Sequence, residues 1–160
     1  MNLLKLDETA RQRIGGAGHW IRGHRHVQDD GGEDAYCAMG AIESALDIRE
    51  HSAERHSLAR KLIMRMGHQL GVPSYQDWRR ADEKNKSEDE YVYDCVDAIE
   101  TFNDEKASQR GVQGLFRRVA TILKREYAER RRKRLVRLIK RDAIAGATKM
   151  TAKKKEPENV

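Results

Sequence analysis

The sequence predicts an all-α protein: a compact bundle of about five helices, then a long basic C-terminal helix and a disordered tail. Two observations carry this. Apolar residues recur at three- and four-residue steps along most of the 160 residues, the spacing of a helix face. Sustained two-residue alternation is missing, so no extended sheet is expected.

The elements follow in order. Leu3, Leu6, Ala10 and Ile14 predict a helix over about 3–16, ended by Gly15, Gly16 and Gly18. HWIRGHRHVQDDGGED, residues 19–34, reads as a long loop, with a short strand at 24–27 as the alternative; loops of that length in a compact domain are often functional or mobile. A second helix is expected over about 35–47, with Asp34 as its N-cap. A third runs over about 53–70, with Leu58, Leu62, Ile63, Met66 and Leu70 inward, and stops at Gly71 and Pro73. DWRRADEKNKSEDE reads as a charged connection. Ser87 and Glu90 have capping-box spacing before a fourth helix that ends near 102 and turns Val92, Cys95, Val96 and Ile99 inward.

FNDEKASQRG is expected to be a turn, and Ser108 to cap a fifth helix facing Val112, Leu115, Phe116, Val119, Ile122 and Leu123 inward. The apolar stripe breaks at ERRRKR, residues 129–134, and resumes briefly as Leu135, Leu138 and Ile139. The expected organisation is a helical domain over 1–125, a basic helical extension over 126–145 and a disordered tail over 146–160.

Charged residues make up 36% of the chain and aromatics 6%, against about 25% charged in an ordinary globular protein. Residues 1–107 carry 15 Lys/Arg and 21 Asp/Glu, a net of −6, whereas residues 108–160 carry 17 and 5, a net of +12. An acidic body with a basic C-terminal third points to a polyanionic partner. No run of about 18 apolar residues is present, so no membrane span is expected. MNLLKLDETARQR lacks the apolar core of a secretory signal. A cytoplasmic protein with two reduced thiols, Cys37 and Cys95, is the expectation.

Several stretches invite chemical readings. Cys37 lies near a predicted helix start, where partial positive charge lowers a thiol pKa, and the order Cys37, a histidine, then Asn103 is that of papain-like hydrolases. None of the sequence around their cysteine is present here, and the simpler reading is a packing residue beside Gly40. His24, His26, Asp29, Asp30, Asp34 and Cys37 lack the tight pair spacing of a zinc site, so neither a metal nor a cofactor is predicted. QLGVPSYQDWRRA resembles a helix-turn-helix but puts Asp77 and Arg80 where a recognition helix needs apolar residues. Asn103 and Asp104 suit a helix stop, with the alternative that they reach the long loop and share a polar pocket with His24, His26, Asp30 and Cys37.

The order Trp20-Ile-Arg-Gly23, the Asp/Gly loop at 29–34, Tyr36-Cys-Ala-Met-Gly-Ala-Ile42, Phe102-Asn-Asp104 and the helix VQGLFRRVA at 112–120 resembles a family of small proteins with a domain of unknown function, found in actinobacteria and their phages. In that family a Trp-Gly segment precedes Cys-x-x-Gly-Ala, and Trp-Asn-Asp precedes a final helix. The similarity covers roughly 5–125, and Phe102 stands where the family has Trp. The resemblance implies a bacterial or phage origin and one shared constellation of Trp20, Asp30, Cys37, Gly40, Asn103 and Asp104. It brings no activity.

The expected function is therefore a non-enzymatic accessory or interaction protein. It would engage nucleic acid or an acidic protein partner through Arg117, Arg118, Lys124, Arg125, Arg131, Arg132, Lys133, Arg134, Arg137, Lys140 and Arg141. The alternatives are a small hydrolase or transferase using Cys37 and Asn103 or a metal, and a virion or assembly component that self-associates through Leu135, Leu138 and Ile139.

Overall fold

The computed structural model describes residues 2–16, 19–23, 26–28, 34–46, 53–81 and 87–153. They form two units, 1–123 and 124–160. Six α-helices and one two-stranded sheet are present among the described residues.

In the first unit, α1 (Leu3–Arg13) starts at Asn2, whose side chain accepts the Lys5 N–H at 2.9 Å, the bond an N-cap supplies. Its face Leu3, Leu6, Ala10 and Ile14 is buried. Next come β1 (His26–Gln28) and β2 (Asp34–Tyr36), antiparallel, with His26 opposite Tyr36 and Gln28 opposite Asp34. Helix α2 (Ala38–Leu46) follows, with only Glu43 and Ser44 not buried. The strand option at 24–27 is thus realised from His26 on. The expected cap at Asp34 is corrected: pairing with β1 draws Asp34–Tyr36 into a ladder, and the helix begins three residues later than an Asp34 cap would place it.

Helix α3 (Ala53–Gln69) buries Leu62, Ile63, Met66 and Gly67. It ends at Gly71, whose φ of +101° suits a residue without Cβ. The charged connection is corrected in part, because Tyr75–Ala81 is a helix, α4. Its charges face outward, but Trp78 is buried and packs with Tyr75 and Tyr91 at ring-centroid separations of 5.2–6.2 Å. The Tyr91 hydroxyl donates to the Pro73 carbonyl at 2.7 Å and Trp78 Nε1 donates to Asp94 at 2.7 Å. Three packed aromatic rings, with the polar tips of Trp78 and Tyr91 satisfied, outweigh the local charge.

Helix α5 (Glu88–Thr101) has the capping box at Ser87 and Glu90. It meets α3 closely: a Cβ added to Gly67 would lie 2.6 Å from both Cβ and Sγ of Cys95. The segment expected as a turn is a π-helical turn, Phe102–Lys106. Helix α6 (Gln109–Lys153) then begins, with the Ser108 hydroxyl accepting the Gly111 N–H at 3.3 Å. Val112, Leu115, Phe116, Val119 and Leu123 complete the core. Burying each side chain of this size contributes about 1.5–3 kcal/mol.

The second unit consists of the rest of α6, which continues to Lys153, beyond residue 145 where the apolar pattern ends. From Lys124 to Ala145 every residue but Glu126 is exposed. Glu129 pairs with Lys133 at 2.7 Å and Glu126 with Arg130 at 3.9 Å, i,i+4 pairs that lend an exposed helix little stability. No described helix is long and apolar enough to cross a membrane.

Candidate functional site

Asn103 is the centre of the first unit's polar constellation. It is buried at the π-helical turn, and a π-turn of this kind frequently marks a position that must aim a side chain. Its Oδ1 accepts from Trp20 Nε1 at 3.0 Å and from the Ala38 N–H at 3.2 Å. Its Nδ2 donates to the Ile21 carbonyl at 3.2 Å and to Asp104 Oδ1 at 2.7 Å. Both Oδ1 partners are donors only, which fixes the amide's orientation. All four hydrogen-bonding positions of the amide are used.

The surrounding groups extend the network. Asp104 Oδ1 also accepts the N–H of Gly23, at 2.9 Å, and Gly23 has φ +69°, a conformation L side chains rarely adopt. Arg22 donates to the Ala107 carbonyl at 2.5 Å, and its guanidinium lies 5.3 Å from the Trp20 ring centroid. The Trp20-Ile-Arg-Gly23 segment is thereby fastened to the π-turn by side chain and backbone together.

Cys37 sits where this network meets α2. Its carbonyl accepts the Ala41 N–H at 2.9 Å and its sulfur accepts the Gly40 N–H at 3.3 Å. Cys37 is therefore the N-cap of α2. Asn103 takes the Ala38 N–H, so the two side chains satisfy two of the helix's orphan donors. Burial pushes the Cys37 thiol up, and the Gly40 and Met39 N–H groups offset this only in part. A sulfur so placed lacks the thiolate character a nucleophile needs.

Part of the expected polar pocket lies among the described residues. Asn103 and Asp104 are joined, and Asn103 reaches the residue after Cys37. His26 turns to other partners: its ring stacks on Tyr36 at 4.9 Å and its Nε2 meets Asp34 Oδ1 at 2.8 Å. The His26 bond, first among several causes, holds the Asp34 carboxyl below its ordinary value. His24 and Asp30 lie outside the described residues. Sequence reasoning missed Trp20 as a donor to Asn103 and Asp34 as the partner of His26. The Gly-rich DDGGED stretch between 26 and 36 was the available hairpin signal; nothing local could have paired residues 83 positions apart. Among the described residues no group of three His, Cys, Asp or Glu is placed to hold a metal ion.

The predicted cationic residues all reach solvent. Arg117 and Arg118 are exposed on α6 within the first unit. Lys124, Arg125, Arg131, Arg132, Lys133, Arg134, Arg137, Lys140 and Arg141 are exposed in the second unit. Leu135 (57% exposed), Leu138 and Ile139 (60% exposed) form one i,i+3,i+4 stripe of that helix.

No curated protein and no solved structure matches the chain. A family model of unknown function, DUF6197, matches residues 4–122. That span contains Trp20, Cys37, Asn103 and Asp104 and stops at the end of the packed first unit. The chain belongs to the family of unknown function DUF6197.

Proposed function

We propose that this is a non-enzymatic accessory protein, bacterial or phage-encoded, that acts in the cytoplasm and engages a polyanion, nucleic acid foremost, through the second unit's helix. One observation carries the reading: residues 124–145 hold ten Lys/Arg against three Asp/Glu, and every residue of the stretch but Glu126 is exposed. Cations spread along a helix neutralise successive phosphates and release counterions, which gives sequence-tolerant, salt-sensitive binding. Tyr127 is the only aromatic among them, so contact with phosphates is favoured over stacking on bases.

The test is fluorescence anisotropy with mixed-sequence DNA and RNA duplexes, using the full chain and an Arg131→Gln, Arg132→Gln, Lys133→Gln, Arg134→Gln variant. Binding by the natural chain should weaken by about 10³-fold or more between about 50 and about 200 mM salt, and the variant should bind far less. Equal binding by both chains, or none by the natural chain, overturns the proposal.

A further inference from the structure

The first unit carries a surface that complements the basic helix. Along α5, Asp89, Val92, Tyr93, Val96, Asp97 and Glu100 line an open groove. Val92 and Val96 are half-buried at its inner edge, and Tyr93 is 73% exposed beside them. The carboxylates supply negative charge along the groove. Asp89 is shared with Arg60 of α3. Asp97 is exposed one turn beyond Tyr93.

The helix over 124–145 has the matching pattern. Leu135, Leu138 and Ile139 make an exposed apolar turn. Helical spacing puts Arg131 one turn before Leu135 on the same face, with Arg132 and Arg134 along the two flanks. Two such helices packed stripe to stripe would bring these cations together, and like charges brought into contact oppose association. The α5 groove offers apolar contact together with charge of opposite sign. Every copy of the chain contains both surfaces.

We infer that the α5 groove is a docking surface for the basic helix of a second copy of this chain, so that two copies exchange helices reciprocally. The occupant is set by complementarity: Leu135, Leu138 and Ile139 meet Tyr93, Val92 and Val96, and Arg131, Arg132 and Arg134, all at one end of that apolar turn, meet the end of the groove that carries Asp97 and Glu100. An exchange in which each copy seats the other's helix is two-fold symmetric and closes at two copies. This rests on the same exposed helix as the polyanion proposal but requires a surface on α5 that nucleic-acid binding does not use.

The test is sedimentation velocity of the full chain over a wide concentration range, with two charge-reversal variants. The groove variant is Tyr93→Arg with Asp97→Arg, both at exposed positions. The helix variant is Arg131→Glu, Arg132→Glu and Arg134→Glu. Circular dichroism checks that each keeps its helix content. The natural chain should pass from monomer to dimer mass with rising concentration, and high salt should shift the transition upward. Each variant alone should remain a monomer, since its groove and helix then carry the same sign. An equimolar mixture should recover the dimer, because each reversed surface meets its complement. A natural chain that stays monomeric throughout, a groove variant that dimerises like the natural chain, or a mixture that fails to dimerise overturns the inference. Duplex binding by the groove variant separates the two readings: retained binding beside a lost dimer means that only the dimer needs α5. A natural chain that dimerises as described but binds no duplex overturns the polyanion proposal alone.

Discussion

The Asn103 side chain accepts the backbone N–H of Ala38 at 3.2 Å and so caps α2 from 65 residues away in sequence. The same amide holds Trp20, Ile21 and Asp104. Asn103→Asp should destabilise the fold by about 3 kcal/mol, because it removes the donor to the Ile21 carbonyl and sets a second carboxylate against Asp104. Trp20→Phe should cost less, since it removes one bond and keeps most of the ring. Urea unfolding of both variants checks this; a Trp20→Phe loss as large as that of Asn103→Asp would overturn the order.

Asp7 lies in the apolar stripe of α1, fully buried, with no hydrogen-bond partner for either carboxyl oxygen. Burial raises its pKa from 3.8 to about 7, against a smaller lowering by Arg11 and with a further rise from Glu8. Between those two values the folded chain keeps a proton that the unfolded chain has lost. Asp7 therefore makes stability fall as pH rises through that window and level off above it. Asp7→Leu should remove that slope and be more stable than the natural chain at pH 8, by about 1–3 kcal/mol. Denaturant midpoints at pH 5 and pH 8 decide it; an unchanged difference between them would rule out Asp7 as the source.

Both thiols should be inert in the folded protein. Burial pushes Cys37 up, and it pushes Cys95 up to about 11. A disulfide reagent at pH 8 should label neither thiol on the timescale of a free cysteine, and both once urea unfolds the chain. Rapid native labelling at Cys37 would contradict its place as a buried cap.

The α3–α5 contact at Gly67 admits no Cβ. In Gly67→Ala the new methyl would meet Cys95 Cβ and Sγ at 2.6 Å and its Cα at 2.9 Å, so a helix must shift. A loss of about 1–3 kcal/mol is expected, visible as a lowered Tm. Cys95→Gly in the same chain should recover part of it, because the clash lies mainly with the Cys95 side chain; no recovery would place the strain elsewhere.

Helix positions and inward faces were legible because they rest on spacing of three and four residues, which a linear chain displays directly. The stripes Leu3–Leu6–Ala10–Ile14 and Val112–Leu115–Phe116–Val119–Leu123 are buried as the periodicity predicts, while Ile122, expected with the second, is half-buried. The capping box at Ser87 is equally local. Helix α4 is hidden in the sequence, because Tyr75 and Trp78 sit among charges and find Tyr91 and Asp94 only thirteen and sixteen residues beyond Trp78. The start of α2 was misread for a related reason: Asp34 has the chemistry of a cap, but a strand partner takes it first.

The sequence by itself determined the helical class, the inward faces and the charge division, since each depends on neighbours within a turn or on composition. Tertiary structure alone decided the polar constellation. Trp20, Ala38 and Asn103 are linked by hydrogen bonds of about 3 Å that no local pattern encodes. Folding removes water from these groups, and each buried donor must then find whatever acceptor the packed chain brings beside it.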